Sequence, residues 1–489
     1  MSKGSRSRER NAEAKLAKIE KEQAEVAKVK KNKLVTSVIA IVLVICVAAG
    51  VCVNQFYFAN GQNLRNKVAV SSENVEVDGA MLLYFYNSTL NSYKTYYGGL
   101  MDMYLGIDST KSLKNQMRSE GVSWFDSFMS ETANALNEVI TLYEDAMANG
   151  FTLTEEQKEL IKIAQDGTDM SVFNKRLKKS DVDKCLELSL TATFYKQHLI
   201  DTYSYTEEQI KAAYDASPVS YQKISYRYAD IEYAEDDTKT YMEVEANKKA
   251  VELQTAESEE KFVEIYKAAL KEMYPELADD RIDSTVEAGN VELGSFTEGD
   301  KFSEWAFSAD RKIGETFVDR DNSGYFRVYY LTSLPEIKTY KTVNARHILL
   351  STDDYSEAEA EQKANEIYAQ WQQGEATEES FAKLASMHSS DVGSVYAGGL
   401  YKNITKGYMV EEFDAWIYDE ARKAGDTAII KTSYGWHVMY FCGEGLEAWQ
   451  AEAFENLQSQ DYSADIEELN NKYKATYVQS VVDKFPGIM

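Results

Sequence analysis

Twenty-eight residues near the end of the chain repeat, without a gap, a stretch that lies 111 positions earlier. Phe302 to Tyr329 aligns on Phe413 to Tyr440, pairing Phe302 with Phe413, Trp305 with Trp416 and Arg311-Lys312 with Arg422-Lys423. Gly314 meets Gly425, Thr316 meets Thr427, Gly324 meets Gly435 and Tyr329 meets Tyr440; further upstream Arg227 matches Arg346. Self-similarity at a fixed offset means that one supersecondary unit is built twice. Each copy opens on an alternating stretch that reads as a strand, Ser225 to Ile231 in the first and Val343 to Leu350 in the second. A charged helix follows in each, from about Asp237 to Tyr274 in the first and from Glu357 to Gln373, ending at Gly374, in the second.

The copies differ where chemistry would sit. With Arg227 set on Arg346, His347 faces Tyr228, and in the ungapped stretch His437 faces Phe326. Three of the four histidines in the chain (His347, His388 and His437) fall in the second copy, and the first has none.

Ahead of the repeats the chain changes character twice. Leu34 to Val53 carries no charge, and twenty apolar residues at about 1.5 Å each cross a bilayer core of about 30 Å. Lys28, Lys30, Lys31 and Lys33 precede this run and Phe56, Tyr57 and Phe58 follow it, which predicts an N-terminus inside and the bulk of the chain outside. A cleaved signal peptide fits less well, because 33 residues precede the run. A lipoprotein anchor also fits less well, because Ile45 and Val51, not small residues, precede Cys46 and Cys52. Residues 1–33 carry a net +6 out of a total of −27, so the remainder carries −33. The basic tail suits anionic lipid head groups, or serves only to set topology. The acidic remainder argues against a nucleic-acid partner, since phosphate binding requires basic patches. Cys185 and Cys442 are the only cysteines beyond the run, and form either one disulfide or two separate thiols.

From residue 58 to 217 the pattern is helical. Trp124, Phe128, Leu136, Ile140, Tyr143 and Met147 mark one apolar stripe that Gly150 ends, and Thr154-Glu-Glu-Gln157 and Thr206-Glu-Glu-Gln209 have the form of capping boxes. Residues 446–489 read as an acidic, amphipathic helical segment with Trp449, Phe454 and Leu457 on one side.

Five motifs of the second copy stand together in order: Ala345-Arg-His-Ile-Leu-Leu350; Phe381-Ala-Lys-Leu-Ala385 followed by Ser390-Asp391; Gly398-Gly-Leu400; Gly407-Tyr-Met-Val410 with Phe413; and Gly425 leading to Thr432-Ser-Tyr-Gly-Trp-His-Val438. In these the segment from Thr339 to Gly443 resembles the parvulin family of peptidyl-prolyl cis/trans isomerases. The resemblance implies a four-stranded antiparallel sheet wrapped by about four helices. It also implies that His347 and His437 are the paired histidines of the active site, that Asp391 stands where relatives carry Cys or Asp, and that Thr432 is bonded into the histidine network. Leu400, Met409 and Phe413 would hold the proline ring. The sequence departs from the family's Gly-Gly-Asp-Leu-Gly pattern in Ala397-Gly-Gly-Leu-Tyr401. It has no basic cluster after His347, where Ser351-Thr-Asp-Asp354 stands, so a preference for phosphorylated substrates is not expected. No HExxH spacing joins the histidines, and the reading calls for no metal and no cofactor.

The layout is similar to that of extracytoplasmic foldases of the PrsA and SurA type. It predicts an α+β multidomain chain with a basic cytoplasmic tail (1–33), a transmembrane helix (34–57) and a helical, chaperone-like domain (58–217). A degenerate parvulin-like domain (218–338), a parvulin domain (339–445) and a C-terminal helical segment (446–489) complete it. The expected function is isomerisation of X–Pro bonds in unfolded, newly exported polypeptides, at the cell membrane through a single span. The alternatives are a catalytically inactive chaperone and a cell-surface binding or structural protein.

Overall fold

The computed structural model describes residues 61–233, 243–320, 324–483 and 485. The apolar run 34–53, and with it the expected span 34–57 and the tail 1–33, lie outside the described residues. Among the described residues no helix is long and apolar enough to cross a membrane. The chain divides into two compact units, one drawn from Met1–Tyr195 and Glu468–Met489, the other from Lys196–Glu467.

In the first unit, strands β1 (Val68–Ser71) and β2 (Glu76–Asp78) lead into helix α1 (Gly79–Tyr97). The Asp78 carboxylate accepts from the free amides of Ala80 and Met81 at 2.8 and 2.9 Å, which satisfies the first turn. Helix α2 (Trp124–Ala148) starts on a Ser123–Asp126 capping box and buries Trp124, Phe128, Leu136 and Ile140. Tyr143 packs half-buried against the same core, while Met147, one residue from the helix end, is exposed. Helix α3 (Glu155–Asp166) begins at Thr154, whose hydroxyl and amide exchange hydrogen bonds of 3.1 and 3.0 Å with Gln157.

This unit is not purely helical, as its sequence suggests. Besides β1 and β2 it contains a hairpin, Met117–Ser119 with Val122–Ser123. The end of the chain differs too. A helix, Ala448–Lys472, is followed by a short strand, Thr476–Tyr477, that pairs antiparallel with β1 through Val70↔Tyr477 and Ser71↔Thr476. Val481, Val482 and Phe485 then enter the same core as Phe128 and Leu136. Two residues are too short for alternation to signal a strand, and edge pairing with a distant segment leaves no local trace. Cys185, buried here, and Cys442 of the other unit are free thiols.

The second unit contains both repeats. The first runs β3 (Gln222–Glu232), α4 (Glu243–Gln254), α5 (Glu259–Met273), α6 (Asp279–Ala288), β4 (Asn290–Ser295), α7 (Lys301–Ala306), β5 (Thr316–Arg320) and β6 (Tyr325–Leu331). The second runs β7 (Lys341–Ser351), α8 (Glu357–Gln373), α9 (Glu378–His388), β8 (Leu400–Ile404), α10 (Glu411–Ile417), β9 (Thr427–Thr432) and β10 (Gly435–Glu447). The single helix expected over 237–274 is interrupted: Ser258 caps a new helix by accepting from the Lys261 amide at 3.2 Å. The sheets have orders β4-β3-β6-β5 and β8-β7-β10-β9, so first, second, third and fourth strands occupy the same places in each.

Equivalent contacts recur. The Arg227–Glu259 ion pair of the first repeat (2.5 Å) matches Arg346–Glu378 of the second (3.0 Å). Arg311 lies over the Trp305 ring as Arg422 lies over Trp416, at 5.1 and 4.1 Å. The register shifts the fourth-strand pairings of the ungapped alignment by one residue, so that Tyr440 corresponds to Tyr330 and not to Tyr329. Thr316 lies opposite Tyr330, and Thr427 opposite Tyr440, so the fourth strands are offset by 110 positions, not 111. The connection between Arg320 and Phe326 is one residue longer than that between Lys431 and Trp436. Because side chains alternate with period two, this single residue decides which side chain faces the site. His437 corresponds to Arg327, not to Phe326: His437 pairs with Leu349 and Ile430, as Arg327 pairs with Asp230 and Asp319.

Arg327 makes two bonds to Asp230, at 2.6 and 2.7 Å, and stands 4.5 Å over the ring of Tyr228, the residue in the place of His347. Beside it Phe302, the counterpart of Phe413, stacks on Tyr329 at 3.7 Å. Replacing Arg327 by Met is expected to lower the stability of the first repeat by about 1–3 kcal/mol, because Asp230 then loses the ion pair that it makes with Arg327. Hydrogen exchange across β3 checks the loss, and the second repeat should retain its protection.

Candidate active site

The sheet of the second repeat is packed on both faces, and period-two alternation sorts its residues between them. Ile348, Leu350 and Val438 point into a core with Trp371 and Phe381, from α8 and α9. Val343, Ala345, Met439 and Phe441 form the opposite core with Phe413 and Ile417 of α10. His347 and His437 belong to this second face, on the two central strands. Both are buried, at 5% and 4% exposure.

Burying two imidazoles demands partners for four ring nitrogens. Each has one. His347 Nδ1 and His437 Nδ1 are 3.0 Å apart. His347 Nε2 lies 2.8 Å from Asp391 Oδ2, and His437 Nε2 lies 2.8 Å from Thr432 Oγ1. The rings stack at 5.2 Å, and Phe413 stands edge-on to both at 5.4 and 5.7 Å. The loop after α9 brings Asp391 into place through its ties to β7: the Ser390 amide donates to Leu349 O (2.8 Å), and the Leu349 amide donates to Ser389 Oγ (3.1 Å).

With His347 neutral, its partners set the direction of each hydrogen bond. Burial alone would raise the Asp391 carboxyl, but the bonds from His347 and Ser394 and the Gly393 amide outweigh it and hold the group well below the usual carboxylate range. Burial, and then the neighbouring His347, pushes His437 down to about 3. Against an ionised Asp391, His347 Nε2 must be the donor. A neutral His347 then accepts at Nδ1 from His437 Nδ1–H, and His437 Nε2 accepts from the Thr432 hydroxyl. Thr432 Oγ1 itself accepts from the Tyr434 amide at 3.1 Å. The result is one polarised chain, from Thr432 through both histidines to a single buried negative charge.

His347, His437, Asp391, Thr432 and Phe413 thus come together, and Met409 borders the same apolar cluster half-buried. Leu400 does not join them. It lies opposite Arg346, on the other face, while Tyr401 lies opposite Ala345 on the face of His347. Tyr401 stands 5.6 Å from the His347 ring and donates to Asp391 Oδ2 at 3.0 Å. Ser394 is a second residue that the sequence left unassigned. It is 1% exposed, donates to Asp391 and lies 3.2 Å from His347 Nε2. The alternation of β8 carries the signal for Tyr401; a serine three residues beyond Asp391 carries none. The altered glycine segment has a plain role. Gly399 adopts φ +72°, and a Cβ there would come within 2.2 Å of His347 O, whose own amide donates to Gly399 O at 2.9 Å. His388, exposed at the end of α9, stays outside this network. Among the described residues no group of three or more His, Cys, Asp or Glu could hold a metal ion.

This buried pair on a 2-1-4-3 sheet defines a parvulin-type domain, and comparison with known proteins agrees: residues 329–442 match the family model of the PPIC-type PPIASE domain. The second repeat therefore carries a domain of the parvulin-type peptidyl-prolyl cis/trans isomerase class. Foldase protein PrsA 1 of Listeria innocua is 29% identical over 169 residues, 34% of this chain and 49% of that protein. Chaperone SurA of Saccharophagus degradans is 35% identical over 96 residues, 19% of this chain and 21% of that one. The crystal structure of peptidylprolyl isomerase PrsA from Bacillus anthracis covers 47% of this chain and 97% of its own, at 16% identity and a TM-score of 0.20. The chain spans about half, or less, of the length of these curated relatives.

Proposed function

We propose that residues 339–445 catalyse cis/trans isomerisation of X–Pro bonds in unfolded, exported polypeptides, and that residues 34–57 hold the chain at a membrane with its bulk outside. The observation that carries the catalytic reading is the buried His347–His437 pair, ordered by Asp391 at one end and Thr432 at the other. An X–Pro bond turns over a barrier of about 18–20 kcal/mol and takes tens to hundreds of seconds unaided. No nucleophile or metal is needed, because twisting breaks only amide resonance. The twisted carbonyl is favoured by fixed dipoles in a water-poor site, and every 1.4 kcal/mol or so of such preference speeds the turn tenfold. Phe413 and Met409 supply an apolar wall for the proline ring, and the polarised histidine chain supplies the dipoles.

The first repeat lacks this arrangement. Arg327 and Tyr228 stand in the places of the histidines, and the Phe302–Tyr329 stack occupies the counterpart of the apolar wall, which favours a binding or structural role there. The relatives' names, a foldase and a chaperone, support unfolded polypeptide as the client, with the helical region 58–217 as a chaperone surface. A protease-coupled assay on proline-containing peptides tests the catalytic reading: the full chain should accelerate exchange, and a folded chain that leaves the uncatalysed rate unchanged refutes it. Topology is tested separately, with reporters fused after Lys33 and after Met489. The first should be cytosolic and the second outside, whereas a mature N-terminus near Ala59 would show the span to be cleaved.

A further inference from the structure

The geometry points to Tyr401 as the positioning residue that fixes the Asp391 carboxylate on His347. The inference rests on the proposed isomerase reading for its kinetic consequence, but not for its structural one. Asp391 Oδ2 accepts from His347 Nε2, from Ser394 and from Tyr401, while Oδ1 takes the Gly393 amide at 3.0 Å. His347 and Ser394 approach from the central strand and from the loop that bears Asp391. Tyr401 is the only one of these donors that comes from the edge strand β8. Its hydroxyl therefore ties the loop that bears Asp391 to the sheet from the side of β7 opposite β10. Burial and the Asp391 carboxylate both push the Tyr401 phenol up, so it remains a donor throughout the working pH range. The ring contributes separately, by packing against His347 in the apolar cluster of Phe413 and Met409.

The hydroxyl and the ring can be separated. Tyr401→Phe keeps the ring and removes one of three donors to Oδ2, which leaves the carboxylate free to rotate away from His347. In the full chain this change should lower kcat about tenfold, the effect of one hydrogen bond to a charged group, with KM within about twofold. A packing role alone would lower thermal stability and leave kcat in place. The second readout needs no activity. The chain has four histidines, so labelling with 15N-histidine gives few ring signals. The Nε2 proton of His347, held downfield by Asp391 in the parent chain, should broaden or move upfield in the variant.

Gly393→Ala approaches the same contact from the other side, since a Cβ there would sit 2.9 Å from the Tyr401 hydroxyl. It should reproduce the spectral change with the tyrosine intact, and it stands in should Tyr401→Phe not fold. An inactive parent chain would refute the isomerase reading, and the spectrum would still decide the role of Tyr401. An unshifted His347 proton in either variant, or an unchanged kcat in an active enzyme, overturns the inference.

Discussion

Replacing Asp391 by asparagine is expected to slow X–Pro isomerisation about ten- to hundredfold while the second repeat stays folded. The side chains are nearly isosteric, so packing survives. What changes is the count of donors and acceptors. Asp391 Oδ2 receives three donors and Oδ1 a fourth, and an amide offers one acceptor oxygen and two donor hydrogens. An NH2 group turned towards His347 Nε2 would force that nitrogen to accept, and so reverse the tautomer of His347 and with it the bond to His437. An NH2 group turned towards Gly393 would leave two donors facing each other. Either way the single buried charge that orients the chain is lost. Rates on a proline-containing peptide, alongside far-ultraviolet circular dichroism of the same samples, check the expectation. Parent-like rates in the folded variant would show that the charge at Asp391 plays no part.

The second large effect is on stability in acid. His437 has its folded value depressed to about 3 from 6.5. Between those values the unfolded chain binds a proton that the folded one refuses, so stability rises with pH across that window and is lost as pH falls through it. A difference of this size amounts to roughly 4–5 kcal/mol, reached in full only near pH 3. Asp391 acts in the same direction at lower pH. Its depressed value contributes stability above its unfolded value of 3.8, and that stability is lost as pH falls further. Hydrogen exchange in β7 and β10, corrected for intrinsic rates, should show protection falling steadily below pH 6.5. His437→Gln should be less stable at pH 7 but should flatten the slope between pH 6.5 and 4. An equal slope in that variant would place the acid sensitivity elsewhere.

The candidate site was legible in the sequence where its residues lie on regular elements. His347 and His437 are implied by the motifs that resemble the parvulin family, and each sits on a long strand, so once β7 and β10 are in register alternation puts both on one face. Thr432, implied by the same resemblance, ends β9 three residues before Gly435 and pairs with it across the turn. Alternation also governs the misreadings. An ungapped alignment cannot register the extra residue between Arg320 and Phe326, and that one position exchanges Phe326 for Arg327 as the counterpart of His437. At β8 the question is again which of two adjacent residues faces inward, and the structure selects Tyr401 over Leu400. Elsewhere, continuous charge over 237–274 hid the break at Ser258, because a cap changes hydrogen bonding without changing composition. The strand at Thr476–Tyr477 is specified by its partner at Val70, some four hundred residues away, and not by its own two residues.

The measurement that bears most directly on this account is the isomerase rate of the full chain with both His347 and His437 replaced by glutamine. Glutamine carries one acceptor and one donor group but cannot pass polarity from Asp391 to Thr432 through a ring. The doubly substituted chain, still folded by circular dichroism, should leave proline-containing peptides close to their uncatalysed rate. Full activity in that chain would contradict it, and would leave the second repeat a binder of proline whose histidines serve only the core.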